Sequence, residues 1–427
     1  MSIAGLYSIF QEHPFISTDS RNIPPSCIFF ALKGDNFDGN RYASEALSKG
    51  ASYAVVDNPG VIADNRFIHV ENALSALQQL ALYHRRKLNI PILAITGTNG
   101  KTTTKELIAA VLKKKYRVTY TIGNLNNHIG VPLTLLQITP QTDIAVIEMG
   151  ANHPHEIDFL CRIAEPDYGL VTNIGKAHLE GFGSFEKIVQ TKSELYDYLR
   201  EYNGKAFVNT DNDLLVRQSA GIEQLTYGTN ENAQLRGKVK EGSCFLTIRA
   251  LFPEGWLYLQ SKLIGEYNLD NILAAARVGL YFDIEPIAIQ QAIAVYEPDN
   301  NRSQLIEKDT NKIIMDAYNA NPTSMAAALD NFEKMSHQHK VLILGDMLEL
   351  GDYSAEEHQR ITDKISNKGF EKVFLIGKQF EQTTTNAIKF SSTEFLIKQM
   401  KNQPIRNSLI LIKGSHGIGL EKALEFI

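Results

Sequence analysis

The stretch Ile92-Leu93-Ala94-Ile95-Thr96-Gly97-Thr98-Asn99-Gly100-Lys101-Thr102-Thr103-Thr104 constrains this chain more than any other. Its apolar opening reads as a short strand and its close as the start of a helix, with a glycine turn between them. A strand that stops at Thr96 and a helix that starts near Lys101 leave unpaired backbone N–H groups facing one point. The helix dipole adds roughly half a positive charge there. That point suits a phosphate. Gly97 and Gly100 let the backbone approach without a Cβ, Lys101 reaches the terminal phosphates, and Thr102 offers a hydroxyl to a magnesium ion. The longer form of the motif has a glycine five residues before Gly100. Ile95 stands there, so the loop has the compressed G-x-x-G-K-T form.

A chain of 427 residues is long for one domain and the organisation below divides it into three. Hydrophobic residues at 44% and charged residues at 21% fit a soluble globular protein, and a formal charge of -5 argues against a broad nucleic-acid-binding surface. Cys27, Cys161 and Cys244 are scattered without C-x-x-C spacing, which fits a reducing compartment and no zinc site. No targeting signal and no apolar run of membrane-spanning length are visible, so a cytoplasmic protein without a membrane span is expected.

Residues 1 to 83 alternate short strands (Cys27–Leu32, Tyr53–Val56) with a helix over Tyr42–Lys49. Thr18-Asp19-Ser20-Arg21 there brings hydroxyls and a guanidinium that could hold a diphosphate; the same residues also make a routine surface turn. A helix over Leu74–Leu88 leads into the middle of the chain. Past the phosphate loop, Gly123 to Pro132 is a polar loop containing Asn124, Asn126, Asn127 and His128. The strand Asp143–Ile147 then ends at Glu148, and the strand Gly169–Asn173 is followed by His178. Ligands of a parallel sheet lie beyond the carboxyl ends of its strands, so Glu148 is a candidate for magnesium; a lone loop histidine is more often structural.

The helix predicted over Phe185–Leu199 carries an anomaly. Phe185, Ile188, Val189, Leu195, Tyr196 and Leu199 form one apolar stripe, and Lys192 falls inside it. Either its stem packs while the ammonium escapes to water, or the amine is buried in a crevice where it can lose its proton. Beyond it, Ala206–Asn209 and Cys244–Ile248 read as strands. Asn268 and Asn271 share a face at the start of an alanine-rich helix, where they could read a base or ribose or cap the helix. After a linker over Pro298–Arg302, strands Ile313–Met315, Val341–Leu344, Val373–Ile376 and Leu409–Ile412 alternate with helices such as Ser324–Lys334 and Ser354–Asn367. This is a second parallel sheet. Polar clusters follow its strand ends at Asp316 to Asn321, Gly345-Asp346-Met347 and Lys413 to His416.

Taken in order, Gly97 to Thr102, Glu148, His178, Lys192, the Asn268/Asn271 pair, Arg302 and Asp316 resemble the motifs of the Mur ligases, ATP-dependent enzymes that extend the peptide of the bacterial cell-wall precursor. The resemblance spans nearly the whole chain. Asn124-Leu125-Asn126-Asn127-His128-Ile129-Gly130-Val131-Pro132, Asp316-Ala317-Tyr318-Asn319-Ala320-Asn321-Pro322 and Leu344 to Gly351 are closest to the member that adds D-alanyl-D-alanine. Two positions depart from the family: Tyr267 stands where His is usual, and His416 where Arg is usual. The resemblance implies an α/β protein of three domains. These are a small N-terminal α/β domain (1–83) for the UDP substrate, a central phosphate-loop ATPase domain with a parallel sheet (84–298), and a C-terminal Rossmann-like domain (299–427).

The activity it implies is ATP- and Mg2+-dependent joining of D-alanyl-D-alanine to UDP-N-acetylmuramoyl-tripeptide, by a monomer. A related ligase that adds a single amino acid or a glutamate tail, such as a folylpolyglutamate synthase, is the alternative. The site residues implied are Lys101, Glu148, His178 and Lys192 for catalysis, with Lys192 carbamylated. Thr102, Glu148, His178 and Lys192 are implied for the metal. Gly97, Thr98, Asn99, Gly100, Lys101, Thr102, Thr103, Asn268, Asn271, Arg302 and Asp316 are implied for ATP. Thr18, Asp19, Ser20, Arg21, Asn124, Asn126, Asn127, Asn319, Asn321, Lys413 and Ser415 are left for the substrates.

Overall fold

A computed structural model describes residues 1–240, 245–298, 301–366 and 368–427. The strands fall into three main sheets. In the first, β1 (Ile16–Ser17), β2 (Ile28–Phe30), β5 (Tyr53–Val56) and β6 (Phe67–His69) pair in parallel in that order; β3 (Lys33–Gly34) and β4 (Phe37–Asp38) form a separate short hairpin. The second comprises β7 (Ile92–Thr96), β8 (Val118–Tyr120), β9 (Ile144–Glu148), β10 (Tyr168–Val171), β11 (Lys205–Asn209), β12 (Glu223–Gly228), β13 (Leu235–Lys240), β14 (Thr247–Phe252) and β15 (Gly255–Gln260). Its spatial order is β15-β14-β13-β12-β11-β10-β7-β9-β8. The third comprises β16 (Gln304–Lys308), β17 (Asn311–Asp316), β18 (Lys340–Gly345), β19 (Lys372–Ile376), β20 (Ile388–Phe390) and β21 (Leu409–Lys413), in the order β16-β17-β21-β18-β19-β20.

The two larger sheets are parallel over most of their width and each carries an antiparallel edge. β14 and β15 return as a meander on β13, and β16 runs against β17. The strand read over Cys244–Ile248 is thus found as β14, beginning at Thr247; Cys244 lies outside the described residues, as do Asp299, Asn300 and Asn367 of the expected linker and helix. β10 ends at Val171, two residues short of the expected Asn173. Beyond it Thr172 N still donates to Thr96 O of β7, while the side chains of Thr172 and Asn173 hold the phosphate loop, Thr172 Oγ1 donating to Asn99 O at 2.6 Å and Asn173 Oδ1 accepting from Asn99 N at 3.0 Å.

The fully buried β7 and β9 lie side by side, as a doubly covered parallel sheet requires. The helix Ala73–Lys87 packs on the N-terminal helix Ile3–Glu12 and on two helices of the middle sheet, so one apolar core runs from Leu6 and Phe10 through Leu77 and Leu80 to Val131 and Leu160. The last unit rests on the middle one through Asn321 Nδ2 to Asn99 Oδ1 at 2.8 Å, Lys176 to the buried Glu357 at 3.1 Å, and Tyr267 to Ser303 at 2.8 Å. Among the described residues no helix is long and apolar enough to cross a membrane.

Candidate active site

β7 delivers the chain to Gly97, and the helix Lys101–Leu112 carries it away, with Gly100 as its N-cap at φ +79. Both glycines are demanded by contact. A Cβ on Gly97, at φ +138, would meet Thr172 Oγ1 at 2.1 Å, and one on Gly100 would meet Asn271 Oδ1 at 2.7 Å. Lys101 folds over this loop, donating to Gly97 O at 2.8 Å and Thr98 O at 3.1 Å. Burial pushes its pKa down, Glu148 pulls it up, and Arg302 lowers it further.

Glu148 ends β9 and is 1% exposed. Its Oε1 accepts from Asn126 Nδ2 at 2.8 Å and from Thr102 Oγ1 at 3.2 Å, while Oε2 is buried without a hydrogen-bond partner. A buried carboxylate beside a threonine hydroxyl at a phosphate loop, with one carboxylate oxygen making no hydrogen bond and only a 3.5 Å ion pair with Lys105, fits a hard cation. Among the described residues no three His, Cys, Asp or Glu side chains converge to hold a metal ion.

A cavity of about 740 Å³ opens beyond these strand ends. It is lined by Thr98, Asn99, Gly100, Lys101, Thr102, Thr103, Glu148 and His178, by Asn124, Asn126 and Asn127 of the polar loop, by Asn268 and Asn271, and by Arg302, Asp316, Asn319 and Lys413 from the last unit. The two asparagines of the pair bond each other, Asn271 Nδ2 donating to Asn268 Oδ1 at 2.8 Å, and Asn271 Oδ1 accepts from Thr104 at 2.9 Å. Arg302 lies 3.9 Å over the Tyr318 ring, and Lys413 donates to Asp316 at 2.6 Å from the adjacent strand end. His178 Nδ1 stands 2.5 Å from Glu349 Oε2 of the last unit.

The remaining predicted residues lie outside the cavity lining. Lys192 is 3% exposed with Nζ 3.4 Å from Ala151 O, so it does not reach water; burial first and the charge of Lys101 second bring its pKa down to about 7. The escape of its ammonium to solvent, one of the two readings above, is thereby excluded. Asn321 caps the helix Pro322–Lys334 and Ser415 Oγ accepts from Leu348 N. Thr18, Asp19, Ser20 and Arg21 sit on the N-terminal unit, where Arg21 pairs with Asp19 at 2.8 Å at the surface. Asp346, in one of the three polar clusters, is buried and accepts from the N–H groups of Gln379 and Phe380; it caps a helix.

Sequence reasoning missed two groups. Asp270 lines the cavity between the two asparagines, and burial, then Asp211, raises its carboxyl to about 6. Lys105 is fully buried, 3.5 Å from Glu148 Oε2. Its position one turn beyond Lys101, next to Glu106, gave no sign of this.

A phosphate loop, a buried carboxylate at the neighbouring strand end and a cavity closed by a second sheet define a nucleotide-using α/β protein of the phosphate-loop class. The family models resolve which: the Mur ligase family catalytic domain matches residues 12–93, the Mur ligase middle domain 95–279, and the Mur ligase glutamate ligase domain 301–416. The chain belongs to the Mur ligase family. It is 35% identical to the UDP-N-acetylmuramoyl-tripeptide--D-alanyl-D-alanine ligase of Bacillus subtilis, over 96% of this chain and 92% of that one. Among solved structures, MurF from Acinetobacter baumannii superposes with a TM-score of 0.85 at 29% identity, over 96% of this chain and 92% of that one. MurF from Thermotoga maritima in complex with ADP also gives 0.85, at 26% identity, over 96% of each chain.

Proposed function

We propose that this chain joins D-alanyl-D-alanine to UDP-N-acetylmuramoyl-tripeptide in a reaction driven by ATP. The observation that carries the reading is the run of the phosphate loop, Glu148, the asparagine loop and the last unit's Arg302, Asp316 and Lys413 around one cavity, in a chain similar from end to end to ligases of that name. In this reading the tripeptide carboxylate attacks the γ-phosphorus and ADP leaves. The dipeptide amine then attacks the acyl carbon, loses a proton, and phosphate departs.

Phosphoryl transfer asks the protein mainly for position and charge. The N–H groups at the start of the Lys101–Leu112 helix would hold the phosphates, Lys101 would turn from its loop carbonyls to the terminal phosphate, and Arg302 would approach from the other side. Thr102 and Glu148 would hold Mg2+, with His178 at the cavity wall; the metal supplies charge neutralisation at the phosphate oxygens. Asn124, Asn126 and Asn127 would orient the tripeptide, and Asn319, Asn321, Lys413 and Ser415 the dipeptide. Thr18, Asp19, Ser20 and Arg21 would meet the uridine diphosphate, and Asn268 and Asn271 the nucleoside of ATP. The units proposed are 1–83, 84–298 and 299–427, in one monomeric cytoplasmic chain.

The test is phosphate release from ATP with the tripeptide nucleotide, with and without D-alanyl-D-alanine. Release that depends on the dipeptide and gives the pentapeptide nucleotide is expected. Equal turnover with free lysine or diaminopimelate on a dipeptide nucleotide would move the assignment to a ligase that adds one amino acid.

A further inference from the structure

A lysine with no exposed surface needs a compensating structure, because an ammonium taken out of water costs several kcal/mol unless it is paired. Lys105 has one. Its Nζ lies 3.5 Å from Glu148 Oε2, 3.7 Å from Glu106 Oε1 and 3.3 Å from Gly123 O, to which it donates. Lys105 does not line the cavity, so it is not placed to meet ligand. It reaches the Glu148 carboxylate, which does line it, from behind, and it holds the backbone at the root of the asparagine loop.

The three contacts connect separate pieces of the chain. Glu148 ends β9, Gly123 opens the loop bearing Asn124, Asn126 and Asn127, and Lys105 belongs to the helix whose N-terminus forms the phosphate site. Asn126 closes the circle through its bond to Glu148 Oε1. Without the ammonium, Oε2 would be a buried anionic oxygen with no hydrogen bond and only the more distant charge of Lys101, and the carboxylate would rotate or admit water.

We propose that Lys105 is a positioning residue. It fixes the Glu148 carboxylate toward the cavity and pins the asparagine loop to the phosphate-binding helix, so that the nucleotide and the peptide acceptor meet in register. The inference rests on the functional reading above only for the identity of the acceptor. The lysine-carboxylate coupling stands apart from it and can be measured without turnover.

The experiment is a double-mutant cycle of Lys105→Met and Glu148→Gln in the full chain, read by thermal unfolding and ADP affinity, with steady-state kinetics on the Lys105→Met single variant. Lys105→Met keeps the stem and removes the charge. It should lower the unfolding temperature markedly in the wild-type background. In the Glu148→Gln background, where no buried anion is left unpaired, the loss should be less than about half as large. ADP affinity without metal should stay within about threefold, kcat should fall at least about tenfold, and KM should rise more for the tripeptide nucleotide than for ATP. Equal losses of unfolding temperature in both backgrounds would mean that the lysine only fills space, and would overturn the proposal. So would a kcat above about half of wild type. Should Lys105→Met not fold alone, folding of the double variant would support the coupling, and failure of both would refute it. A wild-type chain inactive on these substrates would fail the functional reading while leaving the unfolding cycle to decide this one.

Discussion

Replacing Lys192 tests the least expected feature of the site. Its amine is buried at 3% exposure, faces Ala151 O at 3.4 Å and the Phe182 ring at 5.7 Å, and has a pKa of about 7 against the ordinary 10.5. At pH 8 such an amine is roughly nine-tenths neutral, whereas an ordinary lysine is neutral in about 0.3% of molecules, a gain of about 300-fold in the form able to react. Neutral amine plus carbon dioxide gives a carbamate anion and a proton, which turns a cation near the phosphate loop into an anion suited to a metal site. The family resemblance implies this modification; the burial and the low pKa are independent grounds for proposing it. Lys192→Ala should therefore retain under about a tenth of wild-type turnover, and acetate, filling the space, should restore part of it. Lys192→Arg should stay inactive, because it keeps the cation and cannot form the carbamate. Carbon-13 NMR with labelled bicarbonate should show a carbamate resonance in wild type that is missing from both variants. Near-normal turnover of Lys192→Arg, or no such resonance in active wild type, would refute the reasoning.

Lys101 bonds only to its own loop carbonyls, so Lys101→Ala should leave the unfolding temperature within a few degrees while turnover drops below about a tenth; a larger residue of activity would deny its charge a role in phosphoryl transfer. Lys176→Met removes one tie between the middle and last units at the buried Glu357, which still has Arg360 at 3.2 Å. A loss of roughly 1–2 kcal/mol is expected, visible as a larger radius of gyration in solution scattering that ATP analogue and tripeptide nucleotide reverse; an unchanged profile would mean that the other ties, Asn321 to Asn99 and Tyr267 to Ser303 among them, hold the docking without it. His358 is buried, its Nε2 accepting from Met347 N at 3.0 Å, and burial holds its pKa below the usual 6.5 despite Asp346 and Glu357. The unfolded chain then binds the proton more readily, so stability should be full above about pH 6.5 and fall as pH drops through that value. His358→Gln should flatten the decline in unfolding temperature, and an unaltered slope would assign it to other groups.

The parts of this molecule legible in its sequence are those whose cause is local. Strand, glycine turn and helix around Gly97 to Lys101 announce themselves because the backbone demands act within a few residues, and the structure returns the strand at Ile92–Thr96 and the helix start at Lys101 as read. Lys192 was legible for the same reason: a charge interrupting an apolar stripe violates the helix's own period. Glu148, Asp316 and Lys413 were legible one step less directly, as polar groups at strand ends that a parallel sheet gathers on one edge. What was not legible is the choice of partners made through space. Lys105 follows Lys101 by one turn and precedes Glu106, a pattern that normally marks a solvated helix face, and only the packing of the β9 end and Gly123 against that face shows the ammonium to be enclosed. His178 meets Glu349, and Lys176 meets Glu357, each across roughly 170 to 180 residues of chain, a separation at which no sequence pattern links the two partners. Arg21 and the hydroxyls of Thr18 and Ser20 read as a diphosphate grip because their types suit one; in this structure the guanidinium is committed to the neighbouring Asp19 carboxylate, and a diphosphate would have to compete with that pair. Residue type thus states what a side chain can bind, while the energetic choice among available partners is made by the fold, and it is at these non-local choices that mutagenesis of this chain discriminates best.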